Sequence, residues 1–174
     1  MSATVVILIV VFVTMLAEAL VSRAHERSLR SAGAIEPGGD VFPIMRVVYP
    51  ACFVLMAGEA IRRGTPGTLL APGIFIFALA KTLKWWAIAS LAGRWSFRVL
   101  VLSGTPLVHT GPYRFLRHPN YLAVAGELAG VSLMLGAAWT GTLSLLAFGP
   151  LIWKRIRIEE VALGLGKMGE DRRK

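Results

Sequence analysis

The fold of this chain is decided by the apolar run T-V-V-I-L-I-V-V-F-V-T-M-L-A-E-A-L-V, residues 4–21. A helix needs roughly 20 predominantly apolar residues to cross the hydrocarbon core of a bilayer. This run comes close to that length and contains one charged residue, Glu18. No basic segment precedes it, which favours a retained first span over a cleaved signal peptide. The run therefore predicts a transmembrane helix.

Outward from this run, four more apolar segments continue the pattern. They predict further spans at residues 42–61, 69–92, 119–139 and 141–153. Hydrophobic residues make up 55% of the 174-residue chain and charged residues only 17%, too little charge to cover a soluble surface. We therefore expect a single all-α membrane domain, residues 1–174, with about five transmembrane helices. The loop 93–118 and the tail 154–174 are expected to lie outside the bilayer.

The basic residues predict the orientation of the chain in the membrane. The net charge is +9, from 19 lysines and arginines against 10 acidic residues. With the N-terminus outside, most of the basic residues fall on the cytoplasmic side: Arg23, Arg27, Arg30, Arg94, Arg98, Arg114, Arg117, Lys154, Arg155, Arg157, Lys167, Arg172, Arg173 and Lys174. Only Arg62 and Arg63 fall outside, so the positive-inside rule predicts a cytoplasmic C-terminus. Because these residues lie between apolar runs, we expect lipid headgroups and not nucleic acid as their partners.

The loop before the fourth span has the pattern of an anion-binding site. It ends in G-P-Y-R-F-L-R-H-P-N-Y, residues 111–121. Pro119 suits the first position of a helix, so His118 would lie at the cap with backbone N–H groups pointing outward. Such a helix start attracts carboxylate or phosphate. The segment adds further donors and an aromatic ring: Arg114, Arg117, His118 and Tyr121. The alternative is an ordinary basic loop with an aromatic membrane anchor.

A second polar cluster, K-R-I-R-I-E-E at residues 154–160, follows the fifth span. Its spacing pairs Arg155 with Glu159 and Arg157 with Glu160, which on a solvated helix would contribute a few tenths of a kcal/mol. Glu159 and Glu160 point about 100° apart and should therefore serve different partners. They could hold the hydroxyls or the amine of a cofactor whose carboxylate binds the first cluster.

Together the two motifs strongly resemble the isoprenylcysteine carboxyl methyltransferase family of integral membrane enzymes. The resemblance implies five core helices and S-adenosylmethionine bound in a cytoplasm-facing pocket that the C-terminal segment closes. By motif position it implies these cofactor-binding residues: His118, Pro119, Tyr121, Glu159, Glu160, Arg114 and Arg117. The acceptor implied is lipophilic, a prenylated cysteine or another lipid, and the expected activity is an O-methyltransferase.

Methyl transfer from a sulfonium needs alignment of donor and acceptor more than activation. An acceptor carboxylate is already ionised at neutral pH, so an arginine such as Arg157 suffices to orient it. A phenolic acceptor needs a base, for which Glu127 and His118 are the candidates. The chain shows no Cys/His spacing typical of a metal site, and we expect no metal.

Charged residues at membrane depth suggest function unless they reach the interface. Glu18, Lys81 and Lys84 can either act in a site or extend to the nearer interface. Glu127, two turns beyond Tyr121, faces either the pocket or a neighbouring helix.

Three other functions remain open at this point. A phospholipid N-methyltransferase would also use S-adenosylmethionine and paired glutamates. A sterol-type membrane reductase has a similar R-H-P-N-Y motif but would use NADPH. A small structural or transport protein would bind no cofactor, and would leave both polar clusters unexplained.

Overall fold

A computed structural model describes residues 2–64 and 69–165 of the chain. It contains five α-helices: α1 (Ala3–Ser31), α2 (Phe42–Arg63), α3 (Leu70–Leu91), α4 (Pro119–Leu135) and α5 (Ala138–Ala162). Three helices are long and apolar enough to cross a membrane: α1, α2, and α3 together with its extension to Arg94. No β-strand occurs in the described residues. The predicted all-α membrane fold is confirmed, while five spans and a single domain stay predictions. Residues 166–174 of the predicted tail lie outside the described residues.

The boundaries of three helices differ from the prediction by three residues or more. Helix α5 begins at Ala138, three residues before the predicted span 141–153, and continues beyond that span to Ala162. Helix α1 continues to Ser31, ten residues beyond the expected end at Val21, so its three arginines lie on a helix and not in a loop. Helix α4 ends at Leu135 and not near Trp139, because Gly136 adopts a left-handed conformation with φ of 63° that terminates the helix. The link to α5 therefore lies at residues 136–137 and not around Thr140.

Small residues bring α3 and α4 into close contact. A Cβ atom added at Gly130 would lie 2.8 Å from the backbone nitrogen of Phe77. One added at Gly126 would lie 2.9 Å from the Cβ atom of Ala80. Glycines four residues apart allow such close approach of two membrane helices. This contact brings the polar residues of α3 next to those of α4.

Helices α4 and α5 form an antiparallel hairpin because only two residues join them. Glu59 of α2 holds the start of α5. Its Oε2 atom accepts hydrogen bonds from the backbone nitrogen and the hydroxyl of Thr140, both at 2.7 Å. A carboxylate is favourable there because the N-terminus of a helix carries partial positive charge. The hairpin places the beginning of α4 and the end of α5 at the same end of the bundle.

The outer surface of the bundle is apolar. Phe75 of α3 is 69% exposed, Leu146 of α5 is 67% exposed and Val47 of α2 is 62% exposed. Soluble monomers rarely expose large continuous apolar surfaces. The exposed faces thus agree with contact with lipid chains.

The segment between α3 and α4 contains two short 3₁₀ helices, Ala92–Arg94 and Gly111–Arg114, and is fastened to the end of α1. The Ser22 hydroxyl accepts a hydrogen bond from the backbone nitrogen of Phe97 at 2.8 Å. Ile35 and Val101 pair by backbone hydrogen bonds of 2.9 and 3.0 Å. These hydrogen bonds therefore hold the segment in place over one end of the helices.

Candidate active site

A cavity of about 1150 Å³ opens at the end of the bundle where α4 begins and α5 ends. It is as large as the largest typical ligand pockets, which reach about 1,000 Å³. Residues of all five helices and of the segment 94–109 line it. Most of the predicted site residues are among them: Arg117, His118, Pro119, Tyr121, Arg157, Glu159 and Glu160.

The two sequence motifs contact each other at this cavity. The Tyr121 hydroxyl donates a hydrogen bond to Oε2 of Glu159 at 2.8 Å. His118 lies beside the same carboxylate, with 3.8 Å between Nδ1 and Oε2, and its Nε2 atom is 3.2 Å from Oε1 of Glu160. Tyr121 contacts only Glu159, whereas His118 lies within 3.8 Å of both carboxylates, so the adjacent glutamates share one partner in spite of their angular separation. We call His118, Tyr121, Arg155, Glu159 and Glu160 the pocket cluster.

The start of α4 retains free hydrogen-bonding capacity. Pro119 occupies the first turn, and the helix has neither a capping side chain at His118 nor an acidic residue in its first turn. The first amides of a helix have no intrahelical acceptor, so those after Pro119 are available to a ligand. Asn120 lines the cavity, and its buried Oδ1 atom has no hydrogen-bond partner among the described residues. The sequence analysis did not single out Asn120.

Arg155 does not form the expected pair with Glu159. It is only 5% exposed, and its Nε atom donates to the Tyr121 hydroxyl at 3.1 Å. Its Nη1 atom is 3.3 Å from Oδ1 of Asp40, and its Nη2 atom donates to the carbonyl of Phe97. The intrahelical prediction is wrong because a buried guanidinium needs several acceptors, which the α1–α2 linker and the 94–109 segment supply.

The other arginines of the two motifs are exposed. Arg157 does not pair with Glu160; its guanidinium lies 5.0 Å from the centre of the Trp153 ring. Arg117 lines the cavity, whereas the Arg114 side chain is not among the cavity-lining groups of the described chain and lies over Phe115 at 5.7 Å. The structure thus brings Arg117 and Arg157 to the cavity and leaves Arg114 apart from it.

Tyr113 lines the cavity, although the sequence analysis did not select it. Burial and the nearby negative charge of Glu159 raise the pKa of its hydroxyl well above the ordinary value. Its hydroxyl therefore remains a neutral hydrogen-bonding group throughout the physiological pH range. Its position inside the G-P-Y-R element was the available signal.

Glu127 lies in a separate buried cluster. Its two carboxylate oxygens are 2.9 Å from the ammonium groups of Lys81 and Lys84, and it also accepts a hydrogen bond from Tyr49 at 2.5 Å. The same two lysines contact Glu18 at 2.7 and 2.9 Å. We call Glu18, Lys81, Lys84 and Glu127 the buried quartet. Its lysines turn inward and do not extend to a membrane interface.

The buried quartet only touches the cavity. Lys84 and Tyr49 are among the lining residues of the described chain, whereas Glu127 is fully buried and is not. The structure therefore joins Glu127 to the quartet and does not bring it to the pocket cluster.

Comparisons with known proteins identify the family of this chain. Residues 73–164 match the family described as the isoprenylcysteine carboxyl methyltransferase (ICMT) family. The uncharacterized protein YpbQ of Bacillus subtilis (strain 168) is 31% identical over 148 residues, which cover 84% of this chain and 88% of that protein. An uncharacterized protein of Haemophilus influenzae is 26% identical over 147 residues, covering 82% of this chain and 84% of that protein. No solved structure matches the chain significantly.

Proposed function

Because the chain belongs to the isoprenylcysteine carboxyl methyltransferase family, we propose that it transfers a methyl group from S-adenosylmethionine to an oxygen of a lipophilic acceptor. Family membership and the apolar helices make it a membrane methyltransferase. The choice of an oxygen acceptor follows from family membership, whereas the choice of cofactor is also supported by one observation of the structure. The two motifs, 38 residues apart at Tyr121 and Glu159, meet by a hydrogen bond at a large cavity.

The donor set of the cavity suits a zwitterionic cofactor. The free amides at the start of α4, together with His118 and Arg117, favour a carboxylate. Glu159 and Glu160 favour an amine or ribose hydroxyls. The buried, unpartnered Oδ1 atom of Asn120 offers one more acceptor. Arg114 is left out of this proposal because its side chain lies away from the cavity.

S-adenosylmethionine would supply the activated methyl group, so the protein's task is to align the acceptor and exclude water. The exposed guanidinium group of Arg157 can orient an anionic acceptor oxygen. A carboxylate acceptor needs no base. For a phenolic acceptor we favour His118 as the base, because Glu127 is held by two lysines away from the cavity.

The apolar part of the cavity would hold the hydrocarbon part of the acceptor. Met15 and Ala19 of α1, Met45 of α2 and Phe148 of α5 all line it. Such residues stabilise a hydrocarbon chain at roughly 25 cal/mol per Å² of apolar surface buried. A lipid acceptor can therefore reach the same cavity as a polar cofactor.

We further propose that the cavity faces the cytoplasm, with the N-terminus outside and the C-terminus inside. The proposal rests on the charge asymmetry along the sequence. A reporter enzyme fused after Lys174 should be active in the cytoplasm. Activity only on the outer side of the membrane would contradict this orientation.

The central experiment is methyl transfer by the purified protein in detergent. Radiolabelled S-adenosylmethionine is incubated with lipid and protein extracts, and the labelled product is identified. A base-labile label indicates a methyl ester and a stable one an ether. Labelled phospholipid amines would instead indicate an N-methyltransferase. Oxidation of NADPH without transfer would indicate a reductase.

Binding of the cofactor is measured separately by calorimetry. Glu159→Gln should weaken binding about 10- to 100-fold, since a hydrogen bond to a charged group contributes about 1.5–3 kcal/mol. His118→Ala should weaken it as well. Arg62→Gln, at the opposite end of the bundle, is the matched control and should bind as the wild type does. Unchanged affinity in both pocket variants would refute the site.

A further inference from the structure

The α1–α2 linker contributes a buried carboxylate next to the pocket cluster. The Asp40 side chain is 7% exposed, and its Oδ1 atom lies 3.3 Å from Arg155, whose side chain is 6% exposed. Asp40 also accepts a hydrogen bond from the backbone nitrogen of Phe42 at 3.1 Å, at the start of α2. Asp40 lies outside the segment 73–164 that matches the family, so the family motifs do not account for it.

Arg155 connects this carboxylate to the proposed cofactor site. A guanidinium only donates hydrogen bonds, so the bond between Nε and the Tyr121 hydroxyl at 3.1 Å uses the tyrosine oxygen as acceptor. The Tyr121 proton must then point elsewhere, and it is donated to Glu159 at 2.8 Å. The orientation of Arg155 therefore sets the direction of the hydrogen bond that holds Glu159.

A second carboxylate competes for Arg155. Glu159 lies four residues further along α5, a spacing at which side chains meet on one face of a helix. A buried arginine without a partner is strongly unfavourable, so Arg155 must pair with one of the two acids. In the structure it pairs with Asp40, and Glu159 remains about one-third exposed at the cavity.

We propose that Asp40 is a positioning residue that keeps Arg155 away from Glu159 and so leaves this carboxylate free for the cofactor. This inference rests on the proposed function, because the ligand that Glu159 receives is S-adenosylmethionine. Asp40 does not line the cavity and acts only through Arg155. Without its charge, Arg155 pairs with Glu159 and withdraws it from the ligand.

The test compares cofactor affinity, measured by calorimetry on the full-length protein in detergent, across five variants. Asp40→Asn removes the charge but retains the side-chain acceptor for Phe42, so the start of α2 is preserved. It should bind about tenfold more weakly, an effect common for residues that support a ligand-contacting group. Asp40→Glu restores the charge and should recover most of the affinity. Glu36→Gln, in the same linker, is the control and should match the wild type.

The decisive variant combines Asp40→Asn with Arg155→Gln. If Asp40 acts by holding Arg155, the double variant binds no more weakly than Arg155→Gln alone. It buries no unpaired charge, so it provides this comparison even if Asp40→Asn does not fold. The inference is overturned if the double variant loses affinity by the product of the two single-variant losses, or if Asp40→Asn binds with wild-type affinity. Either result leaves the proposed function standing. Absence of binding by the wild type overturns both.

Discussion

The buried quartet and the pocket cluster are both ionic groups inside an apolar bundle, but they differ in how completely their charges are paired. In the quartet, two lysines and two glutamates alternate, each contacts both opposite partners, and every contact lies between 2.7 and 2.9 Å. In the pocket cluster, Glu159 and Glu160 contact a neutral hydroxyl and an imidazole and remain one-third and one-quarter exposed. One group is closed, and the other has capacity left for a ligand.

This difference shows which charged residues of the helix bundle are available for chemistry. Removing charges from water is costly, and the cost is offset only when partners surround them. The quartet meets that requirement from within the protein, by joining α1, α3 and α4. The pocket cluster meets it only in part, because its carboxylates face a cavity. We infer that depth alone does not identify a functional charge, whereas incomplete pairing at a cavity does.

The largest effect is expected from opening the quartet. Glu127→Gln would leave two buried lysines with Glu18 as their only carboxylate and should lower the free energy of unfolding by about 3–5 kcal/mol. Thermal unfolding in detergent, followed by circular dichroism, measures the change. Glu159→Gln is the matched control in the pocket cluster. Its carboxylate is 33% exposed, so its loss should cost less than about 1 kcal/mol.

The same variant tests the sequence-based hypothesis that Glu127 is a catalytic base. At a temperature where Glu127→Gln is folded, it should bind the cofactor and transfer methyl groups normally. Native stability combined with lost methyl transfer would contradict the structural role of the quartet and favour the base.

A double-variant cycle sharpens the comparison at a smaller scale. Glu18→Gln and Lys81→Met each leave an unpaired charge, whereas together they leave the neutral pair of Lys84 and Glu127. Their effects on unfolding should therefore be non-additive by about 1–3 kcal/mol. Glu127→Gln and Glu159→Gln share no partner and should be additive to within about 0.5 kcal/mol. A larger coupling between them would mean that the quartet and the pocket cluster form one network.

The helices themselves were largely predictable, because lipid contact requires continuous apolar runs. The ends were not. Hydropathy gives no signal that α1 continues through polar residues to Ser31. Contacts with the distant 94–109 segment stabilise this part of the helix, and local sequence does not reveal such contacts. The end of α4 depends on the left-handed conformation of Gly136, and a glycine within an apolar run indicates this only weakly.

The site was predictable where local spacing and topology agree. The short hairpin of α4 and α5 brings the two motifs together, as the sequence implies. Arg155 was misassigned because local spacing favours Glu159, whereas the actual partner, Asp40, lies in a distant linker. The partners in the quartet were equally hard to predict, because they too are distant in the sequence. Lys81 and Lys84 share one face of α3, which signals a common partner, but only the packing of α3 on α4 identifies Glu127.

The smallest effect on stability is expected from a third ionic group, which lies at the surface. It is more exposed than the buried quartet and can be compared with it and with the pocket cluster. Glu36 contacts Arg30 at 2.5 Å and Arg98 at 2.6 Å and is 25% exposed. Burial raises the pKa of Glu36, but the hydrogen bonds and charges of Arg98 and Arg30 outweigh it and hold the pKa below its ordinary value of 4.5. The folded protein therefore prefers the ionised carboxylate more strongly than the unfolded chain does.

It follows that this group stabilises the fold fully above pH 4.5 and that its contribution is lost as the pH falls through the lowered pKa. Because solvent screens a partly exposed group, Glu36→Gln should cost less than about 1 kcal/mol at neutral pH. Thermal unfolding of both proteins along a pH series should show this difference shrinking only below pH 4.5. A difference that grows on acidification would contradict the assigned pairs. Arg62→Gln, whose side chain belongs to none of these ionic groups, should show a difference from the wild type that does not change with pH.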